Sequence, residues 1–181
     1  MEFIKKHYSN ILFGLLVVLL IYPPTRVQFL RLLSFSPSVE SVENQVQLEH
    51  YNWSLKGINT ADYDFNKAKN KIVIVNFWAT WCMPCVAEMP SLEALYKDYG
   101  DKVDFILVTT DEVTKITPFM KEKGFTLPIY QQLTKAPSEF ETTTIPRTFL
   151  IDKQGRIIID TGRANWNSSS IRRLLDSLIE N

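Results

Sequence analysis

One stretch of the chain restricts its fold more than any other, a buried strand that runs directly into a helix. Residues 72–78, IVIVNFW, are almost all apolar and rich in β-branched and aromatic side chains. Such a run is typical of a central strand covered on both faces. A helix is predicted from about Pro84 to Tyr99, because apolar residues recur there at spacings of three and four. These residues are Val86, Met89, Leu92, Leu95, Tyr96 and Tyr99.

The sequence after this junction alternates between strand and helix patterns. Further strands are predicted at residues 103–110, 127–130, 147–152 and 156–160, and further helices at 117–123 and 167–179. The 117–123 helix has Pro118 in its first turn and Gly124 just beyond its end. Residues 152–155 supply a turn, so the last two strands pair antiparallel. The pattern predicts one α/β domain, residues 46–181, with a mixed central β-sheet between helices.

The N-terminal segment resembles a membrane anchor. Lys5 and Lys6 precede an apolar run from Ile11 to Tyr22, which has only the length of a signal-peptide core. The uncharged stretch from Tyr8 to Thr25 is longer and would span a bilayer with Lys5, Lys6 and Arg26 snorkelling at its ends. A cleaved signal peptide stays open, although no small-x-small site follows the run. A buried soluble helix is disfavoured, because the run lacks polar residues at helical spacing.

We therefore predict a transmembrane helix within residues 1–25 and a linker over residues 26–45, which is rich in Ser and Glu. The positive charges give a slight bias toward a cytoplasmic N-terminus, since Lys5, Lys6 and the terminal amine precede the run. Two arginines follow it. This orientation would place the folded domain outside the cytoplasm.

The charge and cysteine content exclude several classes of function. Twenty basic and twenty acidic residues cancel, so the chain has no positive field for nucleic acid. Its two cysteines are too few for a disulfide scaffold. A zinc site would need two further ligands, and His7 and His50 lie far away in the N-terminal part. No metal, cofactor or nucleic-acid partner is predicted.

The cysteines stand where the predicted strand gives way to the helix, in the motif Trp81-Cys-Met-Pro-Cys85. At the first helical turn, free N–H groups and the helix dipole favour the thiolate of Cys82, which makes it the attacking group. Cys85 follows one turn later, close enough to form a disulfide and to resolve a mixed disulfide. Two ordinary buried cysteines are the alternative. The flanking strand, Trp81 and Pro84 favour redox chemistry.

The segments VNFWATWCMPCVAEMPSL and TIPRTFLIDKQG resemble the thioredoxin-like proteins of the membrane-anchored TlpA/ResA/DsbE group, from about Trp53 to the C-terminus. The resemblance implies a three-layer α/β/α sandwich. It also implies a thiol–disulfide oxidoreductase with Cys82 as nucleophile and Cys85 as resolving cysteine. Pro146 matches the family's cis-proline, and X–Pro is the bond at which the cis form costs little. An ordinary trans-proline is the alternative. Trp81, Ile145 and Pro146 are the expected substrate-binding residues.

Glu88 matches a glutamate that this group carries one helical turn after the second cysteine. There it would shuttle a proton to or from Cys85; a solvated first-turn glutamate is the equal alternative. The sequence departs from the wider family at two positions. Asn76 stands where cytoplasmic thioredoxins have a buried aspartate. Arg147, after the proline, replaces a small residue and would favour the thiolate, select acidic partners or simply lie on the surface.

The expected function is reduction of disulfides in extracytoplasmic proteins, with cytochrome c maturation as one pathway that the resemblance suggests. The partners would be disulfide-containing proteins and a membrane electron donor such as a transmembrane thiol reductase. The expected location is the bacterial inner membrane, with a single span and the catalytic domain in the periplasm. Three alternatives stay open: an oxidase using the same residues, a thiol peroxidase of related fold, and a copper-binding chaperone.

Overall fold

The computed structural model describes residues 7–8, 10–15, 17, 28, 35–39 and 45–180. Its regular elements in the last of these ranges are eight strands, three α-helices and two 3₁₀ turns. The strands are β1 Val46–Gln47, β2 Ser54–Gly57, β3 Tyr63–Asp64, β4 Ile72–Phe77, β5 Val103–Val108, β6 Ile129–Gln132, β7 Arg147–Ile151 and β8 Arg156–Thr161. The helices are α1 Met83–Tyr99, α2 Val113–Lys123 and α3 Ser169–Glu180, and the 3₁₀ turns are Phe65–Ala68 and Ser138–Phe140.

All eight strands form one sheet in the order β1-β8-β7-β4-β5-β6-β2-β3. The pairs β4–β5 and β5–β6 are parallel, whereas the remaining neighbours are antiparallel. Strand β4 lies near the middle, and its residues from Ile72 to Asn76 are buried, as a run of this composition requires. The predicted α/β fold with a mixed sheet and an antiparallel closing hairpin is confirmed.

The two faces of the sheet are covered differently. Side chains of all three helices pack with one face, for example Leu92 of α1, Ile116 of α2 and Leu175 of α3. The other face packs against both 3₁₀ turns and the segment around Trp53, with Phe65 and Phe140 at its centre. Within residues 45–180, the predicted third layer is therefore built from short turns and aromatic side chains rather than from α-helices.

Helix α2 begins four residues earlier than predicted, so Pro118 lies inside it and not in its first turn. The carbonyl of Glu112 accepts hydrogen bonds from the N–H groups of Lys115 and Ile116, and Ile116 is buried. Packing of Ile116 thus extends the helix upstream of the proline, against the local signal. Gly124 ends the helix at a φ of 68°, as its position predicts.

The predicted anchor, residues 1–25, and the predicted linker, residues 26–45, lie largely outside the described residues. Among the helical residues that are described, none forms a helix long and apolar enough to cross a membrane. One described part of the linker contacts the domain. The N–H of Asn165 donates a hydrogen bond of 2.8 Å to the carbonyl of Phe35.

Candidate redox site

Cys82 is the N-cap residue of α1 and is joined to Cys85 by a disulfide with an S–S distance of 2.08 Å. The N–H of Cys85 points back to the sulfur of Cys82 at 3.2 Å, and the N–H of Val86 reaches the Cys82 carbonyl at 3.0 Å. Pro84 is the second residue of the helix, where an N–H would have no intrahelical partner. The first sulfur therefore lies against the unpaired donors of a helix start, which favour a thiolate.

The two sulfurs differ in accessibility. Cys82 is 5% exposed and Cys85 is fully buried, whereas the neighbouring Trp81 is 70% exposed. This order agrees with an outer cysteine that attacks and an inner one that resolves. Because most of the Trp81 side chain contacts solvent, it gives little shielding to Cys82.

The Ile145–Pro146 peptide bond is cis, the geometry expected from the resemblance. Pro146 is buried. Ile145 is partly buried and packs on the apolar cluster that contains both cysteines. It also lines a shallow cleft, whose other lining residues include Phe77, Trp78, Ala79 and Trp81. The structure thus brings Trp81, Ile145 and the disulfide to one apolar region of the surface.

Glu88 is buried, so the solvated alternative is wrong. Its side chain is enclosed in the protein, with the residue 1% exposed. One carboxylate oxygen accepts a hydrogen bond of 2.8 Å from the Asn76 amide, and the other accepts one of 3.2 Å from the Ala164 N–H. Burial disfavours the charged form and raises the pKa of Glu88 to about 8, although these hydrogen bonds oppose the shift. The group therefore titrates close to the pH at which cells work.

Asn76 serves as a support for this carboxyl. Its Nδ2 donates to Glu88 at 2.8 Å and to the Thr148 hydroxyl oxygen at 2.7 Å. The residue is fully buried, as is Thr148. The buried titratable group of this site is therefore carried by α1 and not by β4, where cytoplasmic thioredoxins have their aspartate.

Arg147 is paired inside the domain. Its guanidinium donates a hydrogen bond of 2.7 Å to Asp160 on the adjacent strand β8. A second contact of 2.5 Å, between the Arg147 Nε and the other carboxylate oxygen, completes the ion pair. This carboxylate neutralises the charge next to the cis-proline. Arg147 would need a free positive charge to favour a thiolate or to select acidic partners. The ion pair with Asp160 removes it.

Asp111 is a functional neighbour that the sequence reasoning missed. One of its carboxylate oxygens accepts from the Thr80 N–H at 2.6 Å and from the Thr80 hydroxyl at 2.7 Å. Thr80 lies two residues before Cys82. The signal was present in the sequence, because parallel strands β4 and β5 end at the same edge of the sheet and Asp111 follows β5. Asp111 therefore fixes the loop that presents the first cysteine.

The described residues hold no group of three or more His, Cys, Asp or Glu side chains arranged to bind a metal ion. The remaining polar contacts of α1 have a structural role. Glu93, for example, accepts hydrogen bonds from the N–H groups of Thr126 and Leu127, which fixes the chain leading into β6.

Asp111→Ala should lower the free energy of unfolding of the oxidised protein by about 2 kcal/mol, because Thr80 loses a charged acceptor for two partly buried donors. Urea denaturation measures the loss. Thr80→Val removes only the hydroxyl and serves as the second arm of a double-mutant cycle. Additive effects of the two substitutions would contradict the interaction.

Known proteins resemble this chain in both sequence and fold. The thioredoxin-like protein YneN of Bacillus subtilis is 33% identical over 128 residues, which cover 68% of this chain and 75% of YneN. The thiol–disulfide oxidoreductase ResA of Bacillus cereus is 32% identical over 117 residues, covering 63% and 68% of the two chains. A DsbF homologue from Corynebacterium diphtheriae shares the fold, with a TM-score of 0.58 at 22% identity over 79% of this chain and 93% of that chain. Residues 46–159 match the AhpC/TSA family, and the chain therefore belongs to this family, with a thioredoxin-like fold.

Proposed function

We propose that this thiol–disulfide oxidoreductase works as a reductase of disulfide-bonded polypeptides outside the cytoplasm. One observation carries the proposal. A disulfide joins the N-cap residue of α1, Cys82, to the fully buried Cys85, at a surface that also presents Trp81 and the cis-proline loop. The chemistry requires no cofactor, since sulfur atoms carry the electrons.

The reaction begins from the reduced protein. The Cys82 thiolate attacks one sulfur of the substrate disulfide, the substrate S–S bond breaks, and the departing sulfur takes up a proton. The Cys85 thiolate then attacks the mixed disulfide at Cys82 and releases the second substrate thiol, which is also protonated. The substrate gains two electrons and two protons, and the protein is left with the Cys82–Cys85 disulfide. An external dithiol must reduce it again.

Glu88 serves this cycle as the proton acceptor and donor for Cys85. Residues three apart on a helix lie on the same face, and Glu88 follows Cys85 by three within α1. Its pKa of about 8 lies near the working pH, where a carboxyl can both take up and release a proton. Because Cys85 is fully buried, a protein group is needed in place of bulk water.

The substrate is held by the apolar region beside the disulfide. The exposed Trp81 and the partly buried Ile145 flank a cleft that the side chain next to a substrate cysteine would enter. The cis-proline loop at Pro146 presents its backbone to an extended substrate strand, a common mode of peptide recognition. These contacts position the substrate disulfide and do not specify the sequence of the polypeptide.

The resemblance to the TlpA/ResA/DsbE group supports the reducing direction, the pathway and the location. Maturation of c-type cytochromes is the pathway that it indicates, with a transmembrane thiol reductase as electron donor. The apolar run after Lys5 and Lys6 supports an anchor within residues 1–25 and a periplasmic domain on the bacterial inner membrane. Such compartments are where protein disulfides form and need repair.

Substitution of the two cysteines separates the steps of the reaction. Cys82→Ser should abolish reduction of a disulfide-containing protein such as insulin, because no nucleophile remains. Cys85→Ser should accumulate the mixed disulfide, visible as a shifted band on a non-reducing gel. Full activity of the Cys82→Ser variant would refute the assignment.

A thiol peroxidase would instead consume peroxide in the Cys85→Ser variant at the wild-type rate, and a copper chaperone would bind Cu(I) with both thiolates.

Glu88→Gln should remove a pH dependence from the stability of the oxidised protein. Since the folded pKa is raised from 4.5 to about 8, the wild type loses stability as pH rises through this interval, while the carboxyl ionises more readily in the unfolded chain. Between pH 4.5 and 8, the unfolding free energy of the wild type should therefore fall relative to that of the variant. Urea titrations at several pH values measure it.

The same variant should slow the resolving step by about 100-fold, the lower range for general acid–base catalysis. It should also remove an inflection near pH 8 from the rate profile of substrate reduction. The pH dependence of the unfolding free energy is the control. A variant that is only destabilised would have a lower unfolding free energy at every pH and would keep the wild-type dependence on pH. A variant with the wild-type slope and the wild-type rate profile would contradict the role of Glu88.

Thiol trapping in living cells tests direction and location together. A membrane-impermeant thiol reagent, added to cells with a permeabilised outer envelope, should modify Cys82 in most of the protein. This outcome requires a reduced pair on the outer side of the inner membrane. A pair found oxidised would favour the oxidase alternative, and labelling only after lysis would contradict the periplasmic location.

A further inference from the structure

Arg163 lies in a loop that connects the cis-proline region to the buried carboxyl. It directly follows Gly162, where a side-chain carbon would lie 3.7 Å from the Pro146 carbonyl oxygen. It directly precedes Ala164, whose N–H donates to Glu88. The backbone around Arg163 is therefore held by Glu88 on one side and lies beside the cis-proline on the other.

The guanidinium of Arg163 has no partner in the part of the chain that the structure describes. Among the residues that the structure describes, none forms an ion pair with Arg163, and its Nε is buried without a hydrogen-bond acceptor. Three other arginines of the domain form ion pairs, Arg147 with Asp160, Arg156 with Asp152 and Arg172 with Asp98. An unsatisfied buried N–H costs free energy, so the side chain would gain by turning toward an oxygen acceptor outside the protein.

The carboxylates known to lie in this region are already engaged. Asp160 is held by Arg147. Glu88 accepts hydrogen bonds at both carboxylate oxygens, and the pKa of about 8 keeps it mainly neutral below that pH. The positive charge of Arg163 is therefore not cancelled by either. Because the chain as a whole has no net charge, this is a local feature of the loop beside the cis-proline and not part of a general positive field.

We propose that Arg163 determines substrate specificity by binding a carboxylate next to the target cysteine of the polypeptide. The inference rests on the proposed function and adds the substrate class, polypeptides with Asp or Glu within two residues of the attacked cysteine. A guanidinium forms short, charge-assisted and often bidentate hydrogen bonds with a carboxylate. An extended substrate rises about 3.3 Å per residue, so a side chain one or two positions from the cysteine passes the loop around Pro146 and Gly162.

Three disulfide-bonded peptides test the proposal, identical except for Glu, Gln or Lys beside one cysteine. The wild type should reduce the Glu peptide with a kcat/KM roughly ten-fold above that of the Gln peptide, as the loss of one charged hydrogen bond implies. The Lys peptide should be poorest. Arg163→Gln should make the Glu and Gln peptides equal, whereas Arg163→Lys should keep part of the preference, because it retains charge without the planar fork.

The ratio between peptides is measured within each variant, so a partly unfolded variant lowers both rates and leaves the ratio unchanged. Lys102→Gln is the matched control. It removes one positive charge just before β5, at the end of the sheet opposite to the redox site, and should keep the wild-type ratio. A wild type without preference, or an Arg163→Gln variant that retains it, would overturn this inference. Failure to reduce any of the peptides would refute the proposed function itself.

Discussion

A buried carboxyl group is the constraint on which the redox half of this domain depends. Glu88 lies inside the protein and must be hydrogen-bonded there, since an unpaired buried polar group is strongly unfavourable. Its partners come from different elements, Asn76 from β4 and Ala164 from the loop after β8. Thr148 of β7 joins through the Asn76 amide. The helix that carries both cysteines is thereby fixed to the centre of the sheet and to the loop beside the cis-proline.

The reactive sulfur and the buried carboxyl have opposite electrostatic environments on one helix. Cys82 is at the N-cap, where unpaired N–H groups stabilise an anion. Glu88 lies two turns into the helix, where burial destabilises its anion and raises its pKa. The surroundings of the two groups thus favour opposite protonation states, the anion at Cys82 and the neutral acid at Glu88. Asp111 adds a structural part by holding the loop at Thr80.

Local patterns predicted the strand β4, the helix α1, the cysteine pair between them and the antiparallel hairpin. These depend on residue periodicity and turn chemistry within a few positions. The remaining features depend on neighbours distant in sequence. Burial of Glu88, pairing of Arg147 with Asp160 and anchoring of Thr80 by Asp111 each need two strands to be aligned first. The early start of α2 is likewise set by packing of Ile116, which overrides the proline signal.

The hydrogen bond between the Asn165 N–H and the Phe35 carbonyl has a mechanical consequence. Asn165 adjoins Ala164, which holds the carboxyl of Glu88. Residue 35 is therefore held at the rim of the redox face. A force applied through Phe35 would act first on the loop that holds the buried carboxyl, on the working side of the sheet.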